Sequence, residues 1–411
     1  MKNSMLCVLL LLSVFFGRAQ TPNLNDFIQS SLNSSPLIKD LNNQILSAQI
    51  DSIRLQAGLK PQVTGNALGL YAPVINGYGY STAITNGQQL TGLITVDKQF
   101  IGKNYLNAQL LTILNQKDSL RNTIRLSEQD LRKTITTQYI TAYGSLEQQR
   151  FNQEIVDLLT KEEQVLLRLT RANVYKQSDY LAFLVTLKQA QLQLSQAKLQ
   201  YKADHSTLKY LAGMRDTILD SIGTPDLKPA YLADRSQSIF FKQFQLDSMR
   251  IQNAYQIVDY AYKPKFHAYA DGGYNSDLSA GYYKHLGASA GFGLSIPIYD
   301  GGQRKLAHRK ITLEEDTRQQ YKIFFEKQYN QQLKQLRDQI SGYDALLNDI
   351  REQFKYSESL IKVDIQLMQT GDLKIADLIL AVNNYLSVKN LLTVNTISQL
   401  QLINQLNYWN K

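Results

Sequence analysis

The sequence of 411 residues predicts a mainly α-helical fold with four β-strands, laid out twice along the chain. Three observations predict it: motifs that recur at an offset of about 200 residues, two long segments without proline, and short runs with apolar residues at every second position.

The amino terminus stands apart from that plan. Met1-Lys2-Asn3 precedes an apolar run from Met5 to Phe16, and Gly17-Arg18-Ala19 offers small residues at the positions a signal peptidase reads. Residues 1–19 therefore read as a secretory signal peptide cut after Ala19. Its apolar core is about a dozen residues, short of the roughly 20 that span a bilayer as a helix. Cys7, the single cysteine, lies inside that core, so no disulfide, cysteine metal site or lipid anchor is expected in the mature chain. Loss of Lys2 and Arg18 takes the formal charge from +9 to +7. The remaining Lys and Arg are scattered among Gln and Glu, a solvated-face pattern and not the clustered footprint of a nucleic-acid binder. No later stretch approaches about 18 uninterrupted apolar residues, so any membrane crossing is expected to use strands.

Lys60-Pro61 with Tyr71 recurs as Lys263-Pro264 with Tyr274, and Ile140-Thr141-Ala142-Tyr143 with Leu146 recurs as Ile340-Ser341-Gly342-Tyr343 with Leu346. Asn173 and Asp179 recur as Gly371 and Asp377. The expected repeats are residues 20–222 and 223–411, each helix, strand, strand, long helix, turn, helix, with a linker from Gly223-Thr224-Pro225 to Pro229. No proline occurs between Pro73 and Pro225 or after Pro297, which leaves 102–212 and 303–410 open to long helices. Leu333, Leu336, Ile340, Tyr343, Leu347, Ile350, Phe354, Ser357 and Ile361 step by three and four, a coiled-coil seam. Leu120, Ile124, Leu131, Ile135, Tyr139, Ala142 and Leu146 form a looser one. A continuous helix from Asn104 to Arg171 would reach roughly 100 Å, so an elongated molecule is expected. The abundance of Gln and Asn suits helices wetted on both sides of a wall.

The strand-like runs fall at 62–71 with 90–100, and at 265–274 with 286–298. In the last, Leu286, Ala288, Ala290, Phe292, Leu294, Ile296 and Ile298 alternate with small residues, which is period two. Runs of about 10 residues of this kind suit a tilted transmembrane strand, with Tyr71, Phe100, Tyr269, Tyr274, Phe292 and Tyr299 as an interfacial girdle. A soluble hairpin has the same pattern. Four strands cannot close a barrel that begins at about eight, so spanning requires several chains: two supply eight strands, three supply twelve.

Signals of catalysis are weak. Gly287-Ala288-Ser289-Ala290-Gly291 matches a nucleophile elbow and His308 follows it, but Ser289 sits within the alternating run and not at a strand-to-helix turn. The four histidines lack metal-ligand spacing, and no phosphate-binding loop occurs, so no enzyme activity, metal or cofactor is expected.

Ser35-Pro36 in a first helix, Leu59-Lys60-Pro61 before a strand, and Pro297-Ile298-Tyr299-Asp300-Gly301-Gly302 before a long helix, taken with the duplication, resemble the TolC-like outer-membrane efflux family over essentially the whole mature chain. The resemblance implies a homotrimer sharing one 12-stranded membrane β-barrel above an α-barrel that closes at its periplasmic end. It also implies outer-membrane lipid, a periplasmic adaptor and an inner-membrane pump or secretion transporter as partners, with no nucleic acid. By resemblance, Asn173 and Gly371 mark the periplasmic turns, Asp179 and Asp377 the constriction, and Gly301 and Gly302 the strand-to-helix turn. Leu373 and Leu380 stand where some members carry an Arg and a second Asp, which implies a different closure. The ordinary job for Asp179 is to cap the helix near Tyr180. A soluble periplasmic coiled-coil scaffold or chaperone is the competing expectation.

Overall fold

A computed structural model describes residues 22–215, 219–230, 238–278 and 281–410. The expected signal peptide at 1–19, with Cys7, lies outside the described residues. In chain order the elements are α1 (Leu24–Ser34), α2 (Pro36–Ala57), β1 (Gln62–Tyr71), a one-turn helix at Thr82–Thr85, β2 (Gln88–Phe100), α3 (Lys103–Arg171), α4 (Gln177–Leu211), α5 (Ile239–Ala261), β3 (Lys265–Ser276), a short 3-10 turn at Tyr282–Lys284, β4 (Leu286–Ser295), α6 (Gln303–Thr370) and α7 (Ile375–Tyr408). The chain divides into two units, Lys39–Ile124 with Ile239–Glu326, and Met1–Ile38 with Arg125–Ser238 and Lys327–Lys411.

The first unit holds a four-stranded antiparallel sheet in the order β1-β2-β3-β4. Gln62 pairs with Asp97, Phe100 with Phe266 and Lys265 with Ser295, so these strand termini share one end of the sheet. All four connections to α2, α3, α5 and α6 leave from that end, and the two hairpin loops leave from the other. Among the described residues β1 pairs only with β2 and β4 only with β3, which leaves both outer edges of the sheet without a partner strand. β4 ends at Ser295, three residues short of the expected Ile298. Pro297 has no N–H to extend a ladder, and the opposing β3 starts at Lys265 directly after Pro264.

In the second unit helices do the packing: it holds α4 and α7, of 35 and 34 residues, and the parts of α3 and α6 from Arg125 and Lys327 onward, those two helices running 69 and 68 residues in all. At 1.5 Å per residue α3 is about 100 Å long. The stripe positions Ile135, Tyr139, Ala142 and Leu146 are buried, as are Leu333, Leu336, Ile340, Leu347, Ile350 and Ile361, so the sequence periodicity is a packing seam. One core gathers Phe151, Leu159 and Leu166 of α3, Phe183 and Leu187 of α4, Met368 of α6, and Ile375 and Leu378 of α7. Beside it Tyr385 lies against Phe151 and Phe354, with centroids 5.4 and 5.1 Å away, and the Lys389 ammonium sits within 5.5 Å of both Phe rings. That is a cation held over aromatic faces.

A second core surrounds Phe27 of α1, edge-on to Tyr139 at 5.8 Å, with Tyr201, Leu208 and Ile222. It anchors the irregular segment after α4. Tyr139 donates to the Gly223 carbonyl at 2.8 Å and Tyr201 to that of Asp220 at 2.5 Å. Asn407 of α7 donates to the Lys228 carbonyl and accepts from the Ala230 amide. Burial raises the Tyr139 hydroxyl to about 12, so it remains a donor at any physiological pH. The linker is therefore stapled to both helical hairpins by side-chain hydrogen bonds.

Phe183 is fully buried between helices. Phe183→Ala is expected to cost about 3–5 kcal/mol and to lower the temperature at which the far-ultraviolet helix signal is lost. Lys198→Ala, on the exposed face of the same helix, is expected to stay within about 0.5 kcal/mol of the parent.

Candidate functional site

Two regions carry chemistry beyond packing: the sheet faces in one unit and the helix turns in the other.

The strand registers place Val63, Ala67, Leu90, Ile94, Val96, Ala268, Ala270, Ala288, Ala290, Phe292 and Leu294 on one face of the sheet. Many of them are open on a single chain: Ile94 is 62 % exposed and Phe292 78 %. An apolar face of this extent is rarely left to water. Aromatic groups bracket it. At the helix end Phe266 lies between Phe100 and Phe292, at 5.3 and 6.0 Å, with the Lys98 ammonium 5.2 Å from the Phe100 ring. At the loop end Tyr71, Tyr274 and Leu286 point to the same face. Phe266 and Tyr274 are eight residues apart on β3, about 26 Å at the usual strand rise. A membrane barrel carries an apolar band about 25 Å tall between aromatic girdles.

The opposite face carries Thr64, Asn66, Thr91, Thr95, Asp97, His267, Asp271 and Ser289. Tyr269, expected in the girdle, is on this polar face instead. Its ring covers Gly291, whose missing Cβ would fall 2.7 Å from it, and the His267 imidazole covers Gly293 in the same way. Aromatic side chains of one strand thus fill the gap over glycines of the next. Tyr299 lies beyond the end of β4. Ser289 donates to both Asp271 oxygens at 3.0 Å, whereas His308 of α6 bonds to Asp259 at 2.9 Å and stacks on Tyr255. Ser289 sits inside β4 and not at a strand-to-helix turn, and the histidine that follows it in sequence is bonded to a different carboxylate.

The strand-to-helix turn is built by Asp300. Its carboxylate accepts from the backbone N–H of Gly302 at 2.9 Å and of Arg304 at 2.7 Å, so it caps α6. Those bonds hold its pKa below the ordinary carboxylate value. Gly301 and Gly302 have φ of +65° and +84° with open space around them, so backbone conformation demands glycine there. Arg304 then pairs with Asp259 of α5 at 2.8 Å.

The two helix turns in the other unit end their long helices in the same way. Val174 N–H bonds to the Leu169 carbonyl and Asp372 N–H to that of Leu367, both at 2.9 Å, closing each helix with a left-handed residue between. That residue is Asn173 in one turn, φ +62°, and Gly371 in the other, φ +84°. The turns touch: a Cβ on Gly371 would meet Val174 Cγ1 at 2.8 Å, and the Tyr175 hydroxyl donates to the Met368 carbonyl at 3.1 Å. Asp179 is the third residue of α4, where its carboxylate accepts from the Lys176 N–H at 3.2 Å, a helix-capping bond. Asp377 is the third residue of α7 and is exposed. No hydrogen bond or ion pair joins Asp179 and Asp377 among the described residues. Leu373 packs on the hydrophobic core, and Leu380 is 60 % exposed.

Sequence pattern gave no sign of Asp364. It sits on α6 at 7 % exposure; burial, and then the charge of Asp377, raise its carboxyl pKa. Glu162 on α3, 2 % exposed, accepts from Gln369 at 3.1 Å. Among the described residues no cluster of three or more His, Cys, Asp or Glu is placed to hold a metal ion, and no helix is long and apolar enough to cross a membrane.

No protein-family model matches the sequence, and no curated protein matches it. Solved structures do match the fold. The chain superposes on the outer membrane protein VceC from Vibrio cholerae with a TM-score of 0.72 at 12% identity, covering 94% of this chain and 96% of that one. For the CmeC outer membrane channel of Campylobacter jejuni the values are 0.70 and 11%, covering 95% and 86%. For the open state of the Neisseria gonorrhoeae MtrE outer membrane channel they are 0.71 and 12%, covering 94% and 88%.

Two predictions follow from the turns. Gly371→Val forces a branched residue to positive φ and into Val174, so it is expected to lower the melting temperature. Asn173→Gly relieves a left-handed asparagine and should be neutral or stabilising. Asp364 has a raised pKa when folded, so its ionisation costs the fold stability above that pKa, and the cost vanishes below the unfolded value of about 3.9. Asp364→Asn should therefore raise the melting temperature at neutral pH and lose that advantage on acidification. An equal gain at both pH values would contradict the assignment.

Proposed function

We propose that this chain, which has the fold of the TolC-like outer-membrane channels, is the outer-membrane duct of a tripartite efflux or type I secretion system. The observation that supports this best is the sheet: strands of 10 to 13 residues, long enough to cross a bilayer when tilted, with one apolar face, a polar face behind it and, among the described residues, two edges without partners. An open edge is not tolerated in hydrocarbon, and four strands cannot curl on themselves. Three copies joined edge to edge give a closed barrel of twelve strands, with the polar faces lining a lumen.

Apolar stripes left open on the helices support the same assembly. Leu181, Val185, Leu192 and Leu199 of α4 step by four and seven, and Tyr356, Leu360, Val363 and Leu367 of α6 by four and three; all are at least 38 % exposed. Seams of this spacing pack against other helices. In this reading residues 1–19 direct export and are removed. Residues 20–222 and 223–411 are the two repeats. The trimer sits in the outer membrane of a Gram-negative bacterium and extends into the periplasm.

The paired turns at Asn173 and Gly371 form the periplasmic mouth. Three copies of Asp179 and Asp377 ring it; Asp179 also caps its helix and Asp377 is exposed, and together up to six carboxylates give the mouth a cation-attracting field. Leu373 holds each tip to its own core and Leu380 offers an apolar contact across the axis. A periplasmic adaptor and an inner-membrane pump or secretion transporter splay the tips and supply the energy, and the chain itself is a passive conduit.

Expressed in a bacterial envelope, the full chain should appear in the outer-membrane fraction as a trimer that survives unheated detergent and dissociates on heating. A soluble periplasmic monomer would favour the coiled-coil scaffold instead. Leu380→Cys should cross-link neighbouring copies on oxidation and block export until reduced; unimpaired export by cross-linked trimers would contradict opening at the tips.

A further inference from the structure

Where the sheet meets its helices there is a cavity of about 1140 Å³, all of whose walls belong to the sheet-bearing unit. It is as large as the upper end of ordinary small-molecule sites, about 1,000 Å³. Its polar lining has one dominant sign. Arg54 of α2, Lys103 at the start of α3, Lys263 between α5 and β3, and Lys265 at the start of β3 face it, against the single carboxylate of Asp51. Three stretches of chain distant in sequence, at Arg54, at Lys103 and at Lys263 to Lys265, thus bring like charges to one concavity.

Those charges are poorly compensated from within. Arg54 reaches Asp51 at 3.5 Å, but both side chains are largely open to solvent, at 83 % and 47 %, so the pair is weak. The Lys263 ammonium lies 4.7 Å from the Tyr260 ring. No ion pair involves Lys103 or Lys265 among the described residues. The rest of the wall includes apolar and aromatic groups, among them Leu55, Ile257, Tyr105 and Phe100. Phe100 is also part of the aromatic belt that ends the apolar face of the sheet. The cavity therefore offers cations for an anionic head beside apolar surface for hydrocarbon.

We infer that this cavity is a binding site for the headgroup of an anionic phospholipid, its phosphate held by Lys103 and Lys263 and its acyl chains lying along the apolar face near Phe100 and Phe266. The inference rests on the membrane placement proposed above, which puts this end of the sheet at the periplasmic leaflet. Basic pockets beside membrane segments recognise lipid phosphates by charge, and an ammonium is a compact donor for phosphate oxygens. Lys98, on the belt but not in the cavity wall, supplies general surface charge and is the internal comparison.

The test uses the detergent-extracted trimer, titrated with phosphatidylglycerol or with phosphatidylcholine of the same chains and read by native mass spectrometry. Phosphatidylglycerol should be retained at least about tenfold more strongly. Lys103→Gln with Lys263→Gln should abolish the preference while the heat-sensitive trimer persists, and Lys98→Gln should keep it. Millimolar inorganic phosphate should not displace the lipid. An outer-membrane trimer without the preference, or one in which the double variant keeps it or Lys98→Gln loses it, overturns the site and leaves the duct reading intact. Displacement by inorganic phosphate alone overturns the lipid assignment. A chain that never reaches the outer membrane overturns both readings.

Discussion

A strand buried in hydrocarbon has no water to satisfy its N–H and C=O groups, and each group left bare costs several kcal/mol. In this chain β1 and β4 each present an unpaired edge, while the sheet between them carries an apolar face bracketed by Phe100, Phe266 and Phe292 at one end and by Tyr71 and Tyr274 at the other. In the proposed membrane placement, strands of other copies complete the edges. In the proposed duct much of the rest depends on that demand, since a sheet shared among copies would require helices that also present contact surfaces to copies.

The helices meet the demand by splitting their apolar residues. Positions such as Ile135, Tyr139, Leu336 and Ile340 face the chain's own core, and positions such as Val185, Leu192, Leu360 and Val363 remain open. A helix with two apolar stripes separated by Gln, Asn and Lys would suit the proposed assembly, in which each helix has two neighbours and water on both remaining sides. At the helix turns the same economy holds. Hydrogen bonds from Val174 and Asp372 close the helices, Tyr175 ties one turn to the other, and Leu373 anchors them to the core, which leaves Asp377 and Leu380 outward. Asp364, buried beside Asp377, is a stored electrostatic cost at that place.

Much of this architecture was legible in residue order because it rests on local rules. Period two located β1 at its observed limits and most of β2, β3 and β4, and the absence of proline located the long helices. What escaped depends on neighbours. β4 ends at Ser295 where the opposing β3 begins, directly after Pro264, as well as short of Pro297. Tyr269 alternates onto the polar face, which its position within β3 should have revealed, and the reason it is tolerated there, the glycine opposite, requires the register. Asp364 interrupts no motif and follows no period, so its burial beside Asp377 could only come from the packing of α6 on α7. The role of Asp179 as a cap was visible from its place near a helix start; the absence of any bond from it to Asp377 was not.

The central claim is that one face of the sheet meets lipid and the other lines water. Single cysteines at Gly287, Ala288, Ser289, Ala290 and Phe292, labelled with a small fluorophore in membrane-inserted protein, test it directly. Quenching by brominated phospholipid should be strong at Ala288, Ala290 and Phe292 and weak at Gly287 and Ser289, with the reverse order for aqueous iodide. Equal iodide access along all five positions would mean that β4 lies in water on both faces and would contradict the account.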